Sequence, residues 1–303
     1  MKILILLSTY NGEKYIKTQL DSILSQIGVE PSILIRDDGS NDKTIDIINS
    51  YISKYNNIRI IIGENLGYAL SFTELLKYAY TSYKDIDFYA FADQDDVWLP
   101  NKLSKAIEKI SQEPSKIPIT YCSNTTLVDQ NLNILHYSWN IKPSDITKSR
   151  SLIQNFATGC TMVFNRKAVE VYVKHLPKEI KIHDYLMYQI CIFMGKVLYD
   201  EESYILYRQH GNNQIGKPSF IKRMKIRTKG LYKQHTHENR NKIFLDTFKS
   251  ELSEEDVKLI TDFISYRKSI TNRIKLLFNP KISIINSFEA NVFLKIKIIL
   301  GWI

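Results

Sequence analysis

Apolar and polar positions alternate in blocks along the first hundred or so residues. "KILILLST" is an apolar run of strand length, after which Ile16, Leu20, Ile23, Leu24 and Ile27 recur at helical spacing. "SILIRDDGS" predicts a second strand, with Ser40 or Asn41 placed to cap a helix carrying Ile45, Ile48 and Ile52. "IRIIIGE" predicts a third strand, followed by a helix through Phe72, Leu75, Leu76 and Ala79. "DFYAFA" predicts a fourth, and a helix runs from Asn101 through Ile107 and Ile110. This alternation implies an α/β fold, a mostly parallel sheet covered by helices on both faces.

In such sheets ligands bind beyond the carboxyl ends of the strands. "STYNG", "RDDGS", "GENLG" and "DQDD" stand at those ends and would gather Ser8, Tyr10, Asp37, Asp38, Asn65, Asp93 and Asp95 on one rim. Asn, Asp and Gly also build ordinary turns there, but four such ends on one rim point to a ligand. Asp93, Asp95 and Asp96 fall within four positions, and unpaired carboxylates this close raise one another's pKa. A divalent cation, Mg²⁺ or Mn²⁺, held by Asp95 with Asp93 nearby would join them and neutralise a diphosphate. Asp96 is left to cap the start of the helix near Leu99 and Pro100 or to bind backbone donors. Neither G-x-G-x-x-G nor G-x-x-x-x-G-K-[ST] occurs, so a nucleotide is held without a phosphate-cradling glycine loop.

With 303 residues and 44% apolar content, the chain can bury at least one large core and has the length for two domains. Cys122, Cys160 and Cys191 are isolated and odd in number, which argues against a disulfide framework and a thiolate metal site and fits the cytoplasm. The start lacks a cleavage site, so no signal peptide is read, and no apolar window reaches the length of a bilayer span. Residues 1–216 carry 23 Lys+Arg against 24 Asp+Glu, whereas residues 217–303 carry 18 against 8, so the net charge of +9 belongs to the C-terminal part. There "FIKRMKIRTKGLYK" and "NVFLKIKIILGWI" interleave basic with apolar residues. That pattern suits the anionic inner face of a membrane. Solvated basic helices and nucleic-acid binding are the other readings, and the acidic rim speaks against nucleic acid.

"LSTYNGEKYI", "IRDDGSNDKT", "ENLGYALSF", "FADQDDVWLPNKL", "HDYLMYQICIFMG" and "YRQHGNN" occur in order from residue 2 to residue 216. As an ordered set they resemble an inverting family 2 glycosyltransferase with the GT-A fold, most closely the bacterial rhamnosyltransferase-like members of cell-wall, capsule and O-antigen synthesis. The resemblance implies a GT-A domain at 1–216 and a basic, amphipathic helical extension at 217–303. It assigns Asp38 to the pyrimidine base, Ser8 and Tyr10 to the nucleoside, Asn65 and Gly67 to the nucleotide, and Asp93 with Asp95 to ribose and metal. Asp184 takes the place of the catalytic base, with His183 where the family has a second acid. His210 is a metal ligand or diphosphate donor, or an ordinary loop histidine, and Arg208 is a phosphate partner. Gly159 keeps the acceptor floor open or makes a packing contact; Trp98 packs on a sugar or in the core.

The implied reaction transfers L-rhamnose from dTDP-β-L-rhamnose to a lipid-linked saccharide at the membrane surface, with a UDP-hexose as the alternative donor. A metal-dependent phosphohydrolase is a remoter reading, because such enzymes commonly place an aspartate directly after the first strand, where this chain has "STYNG".

Overall fold

The structure, a computed structural model, describes residues 2–137, 141–210, 235–285 and 287–303. β1 (Lys2–Thr9) leads into α1 (Ile16–Leu24), β2 (Glu30–Asp37) into α2 (Thr44–Ile52), and β3 (Ile58–Ile62) into α3 (Tyr68–Ser82). β4 (Phe88–Ala92), β5 (Val97–Trp98) and α4 (Lys102–Ile110) follow, then β6 (Ile119–Val128), β7 (Ile134–Tyr137) and α5 (Lys148–Ser151). β8 (Val163–Asn165), α6 (Arg166–Lys174), α7 (His183–Met194) and β9 (Lys196–Arg208) complete the sheet region.

Among the described residues nine strands form one mixed sheet in the order β3-β2-β1-β4-β8-β6-β9-β5, with β7 also paired to β6. The β3-β2-β1-β4 half is wholly parallel, as the alternation predicts. β8 then runs antiparallel between β4 and β6, while β6 and β9 are parallel again. A strand of three residues is too short to show a period, so β8 left no signal in the sequence. Ile3, Ile5 and Leu7 of β1 pack with Ile16, Leu20 and Ile23 of α1 and with Leu103 and Ile107 of α4. Leu4 and Leu6 point to the other face, and α3 packs on β1 as well, burying Phe72, Leu75 and Leu76. Burial on both faces explains why β1 is an unbroken apolar run.

Register sets the rim. Thr9 stands opposite Asp37, Asp37 opposite Ile62, and Leu7 opposite Ala92, so the parallel strands end together. Because β8 is antiparallel, with Val163 opposite Ala90, the turn Gly159–Thr161 that precedes it reaches the same rim.

The expected cap of α2 is corrected. Lys43 holds the N-cap position, while Ser40 gives its N–H and hydroxyl to Asp37 at 2.7 and 2.6 Å. Asn41 N–H goes to Asn11 Oδ1 at 2.8 Å. The nearer carboxylate at the end of β2 outcompetes the helix for Ser40.

The chain divides into two compact units, Met1–Trp139 with Ala157–Leu176 and Ile180–Gln209, and Asn140–Phe156 with Pro177–Glu179 and His210–Ile303. The second contains α5, α8 (Thr236–Phe248), α9 (Glu254–Ile264), α10 (Ile270–Phe278) and α11 (Phe288–Leu300). Ser253, Ser269 and Ser287 cap the last three helices by accepting a backbone N–H three residues on. Gly301, at φ 73, closes α11 with Gly301 N–H to Ile298 O and Trp302 N–H to Lys297 O, a left-handed stop that favours glycine. The boundary expected after residue 216 and the segment "FIKRMKIRTKGLYK" lie outside the described residues. Among those described, no helix is long and apolar enough to cross a membrane.

Candidate active site

The two aspartates that end β2 divide their work. Asp37, fully buried, accepts the Thr9 hydroxyl at 2.8 Å and both donors of Ser40, which fixes the "DDGS" turn. Asp38 pairs with the Arg36 guanidinium and accepts the N–H groups of Leu66 and Gly67, the latter at 2.8 Å. Gly67 makes that contact at φ 78, a conformation other residues rarely adopt. Asn65 Oδ1 also accepts the Gly67 N–H, at 3.1 Å. Asp38 therefore holds the 63–67 loop in place. Ser8 shares a 2.7 Å hydrogen bond with Ser71 at the start of α3. Tyr10 is exposed, and its backbone exchanges two hydrogen bonds with the Gln94 amide, at 2.8 and 3.0 Å, tying the end of β1 to the "DQDD" loop.

In that loop Asp93 is half-buried, and burial, then the charges of Asp95 and Asp184, push its pKa up to about 7. Asp96 is fully buried, and burial followed by the charges of Asp95 and Asp93 holds its pKa well above the usual carboxylate range. It accepts the Arg208 N–H at 3.1 Å, so it binds a backbone donor and does not cap α4, whose N-cap position is Asn101. Its second oxygen is buried without a hydrogen-bond partner among the described residues. Carboxylates whose proton affinity is raised by burial and by one another are what a divalent cation would relieve, and carboxylate oxygens suit a hard ion. The donor set thus fits Mg²⁺ or Mn²⁺.

Cys160 was missed by sequence reasoning. Its sulfur gathers with oxygens of Asp93 and Asp96 within 4.8 Å of one another. Burial, then the charges of Asp96 and Asp93, hold its pKa well up, which favours the thiol. Lys102 was missed too, since a lysine in the first turn of a helix reads as solvated. It is fully buried, its ammonium 3.8 Å from the Trp98 ring centroid, and burial lowers its pKa to about 7. Trp98, 2% exposed, is therefore core and has no face to offer a sugar. Arg208, 3% exposed, gives its guanidinium to Asp95 O and Gln130 O at 2.7 and 2.6 Å and lies over the Tyr15 ring. It braces the loop, which leaves little of it for a phosphate. His210 is half-buried and belongs to the second unit.

Asp184 lies in the first turn of α7 and is buried. Oδ2 accepts the Gly159 N–H at 2.9 Å, and Oδ1 is buried without a hydrogen-bond partner among the described residues. Burial pushes its pKa up to about 6, against the hydrogen bond from Gly159. His183 stacks on Phe72 with centroids 4.0 Å apart and meets the edge of Phe91 at 4.8 Å. Burial lowers its pKa to about 3, so it is neutral and adds no charge of its own beside Asp184. Gly159 packs tightly: a Cβ there would lie 3.3 Å from both Asp184 Oδ2 and His183 Nε2. We expect Gly159→Ala to shift the carboxylate, lowering kcat about tenfold to a hundredfold with KM nearly unchanged. Steady-state kinetics on that variant check this, and parental kcat would show that the site absorbs the methyl group.

The family model for glycosyl transferase family 2 matches residues 4–173. The dTDP-rhamnosyl transferase RfbG of Shigella flexneri is 29% identical over 224 residues, 69% of this chain and 73% of that one. The UDP-Glc:alpha-D-GlcNAc-diphosphoundecaprenol beta-1,3-glucosyltransferase WfgD of Escherichia coli is 29% identical over 164 residues, 54% and 59% of the two chains. Among solved structures, S. aureus TarS 1–349 in complex with UDP-GlcNAc superposes with a TM-score of 0.58 at 15% identity, over 99% of this chain and 92% of that one. The fold is accordingly that of the GT-A glycosyltransferases.

Proposed function

The chain belongs to glycosyl transferase family 2, and we propose that it transfers L-rhamnose from dTDP-β-L-rhamnose to a hydroxyl of a growing lipid-linked bacterial surface polysaccharide, inverting the anomeric carbon. One observation carries the chemistry. Asp184 is a carboxylate on the ligand-binding side of the sheet, held by Gly159 through one oxygen while the other is unengaged among the described residues, with a pKa of about 6. At neutral pH it is ionised yet basic enough to take a hydroxyl proton.

Asp184 Oδ1 accepts the acceptor proton as the acceptor oxygen bonds to the anomeric carbon from the face opposite the diphosphate. The bond from that carbon to the diphosphate breaks, and its electron pair leaves with the nucleotide. Asp93 and Asp95 would hold a divalent cation, which supplies charge neutralisation for the leaving diphosphate. Ser8 and Tyr10 line the nucleoside, and Asp38 acts on the base side by fixing the loop that carries Asn65 and Gly67. His183 keeps the pocket behind the base neutral.

RfbG supports the rhamnose donor and WfgD the alternative, a UDP-hexose. Nucleoside diphosphate release from dTDP-rhamnose, UDP-glucose, UDP-galactose and UDP-N-acetylglucosamine distinguishes them. We expect release selective for dTDP-rhamnose; release from a UDP-sugar alone would keep the mechanism and overturn the donor.

A further inference from the structure

α10 and α11 pack against each other and bury Leu276, Leu294 and Ile298. Their outer faces are apolar as well. Ile270, Ile274 and Phe278 recur at i, i+4 and i+8 on α10, with exposures of 78%, 52% and 76%. Phe288, Val292 and Ile296 repeat the spacing on α11, Phe288 being 85% exposed, and Ile299 and Leu300 extend the line. Of the 18 large apolar side chains exposed on the described chain, eight lie on these two helices of 9 and 13 residues. Single exposed apolar residues need no explanation, but two continuous stripes on adjacent helices do.

Charge decides what covers them. Residues 265–303 contain seven Lys or Arg and one acid, Glu289. Lys268, Lys275, Lys281 and Lys295 are exposed. A second copy meeting this face about a two-fold axis would bring two such basic surfaces together, which repel. Both helices fall well short of the roughly 20 residues that cross a bilayer. Short apolar stripes set among lysines fit instead the plane of an anionic membrane, with the stripes at the acyl boundary and the ammonium groups on lipid phosphates. We infer that the outer face of α10 and α11 docks the protein on an anionic lipid surface. The inference stands on these helices and holds whichever sugar is transferred.

Flotation of the full chain with phosphatidylcholine vesicles, with and without about 30 mol% phosphatidylglycerol, tests it. The Phe278→Ser/Phe288→Ser variant changes two exposed side chains and leaves the buried ones in place. The parent should float with the anionic vesicles and far less with the neutral ones, and the variant should bind them about tenfold or more weakly while keeping donor turnover. Three results would overturn the inference. They are absence of flotation, equal flotation on neutral vesicles, and undiminished flotation of the double variant, which would place binding elsewhere on charge alone. A parent dimer that the variant converts to monomer in light scattering would assign the face to a second copy and overturn it likewise.

Discussion

Asp184→Asn should lower the transfer rate by about two to four orders of magnitude and leave nucleotide binding intact. Asparagine keeps an oxygen for the Gly159 N–H and the shape of the site, and loses only the ability to take a proton. The same substitution should stabilise the protein. Burial raises the Asp184 pKa from 3.8 to about 6, so the folded state disfavours the ionised form. The penalty is absent below the unfolded value, grows as pH rises through this window, and reaches up to about 3 kcal/mol at neutral pH. Melting at pH 7.5 should therefore favour the variant by a few degrees, and the gain should shrink toward pH 4. In the parent the rate should fall as pH drops through about 6, as the base protonates. Near-parental turnover would remove Asp184 as the base; lower melting with lost nucleotide binding would make it a structural residue.

Chelator should abolish turnover, and Asp95→Asn should reduce it by about a hundredfold or more, with loss of metal-dependent nucleotide binding. Electrostatics sets this dependence. Asp93 is pushed up to about 7 by burial and by Asp95 and Asp184, and Asp96 behind it is held well above its ordinary range. Such a cluster is costly to leave uncompensated, and Lys102, its own pKa lowered to about 7, is a poor counter-ion. Calorimetry of nucleotide binding with and without Mn²⁺ reads the effect. Turnover that survives chelation would show that the donors of the rim act without a cation.

The part of the site carried by consecutive residues was legible in the sequence. "STYNG", "RDDGS", "GENLG" and "DQDD" follow strands whose ends align in register, so local motifs arrive at one rim without further information. Residues whose role depends on burial were not legible. Trp98, Lys102 and Arg208 look like a sugar platform, a solvated lysine and a phosphate ligand, yet each is at most 3% exposed and serves the loop or the core. Cys160 reads as an inert lone cysteine, and only the antiparallel course of β8 brings the turn that holds it to the rim beside Asp93 and Asp96.

The alternation of strands and helices, the polar strand ends, the acidic "DQDD" loop and the basic C-terminal part are written in the order of residues, because periodicity, turn chemistry and charge are properties of chain neighbours. Only folding brings Gly159 to Asp184, lets Asp93 feel the charge of Asp184, and leaves His183 neutral between two phenylalanines. It also decided which faces of α10 and α11 remain uncovered. Proton affinity and exposure depend on what surrounds a group in space, and for these residues the surroundings come from distant parts of the chain.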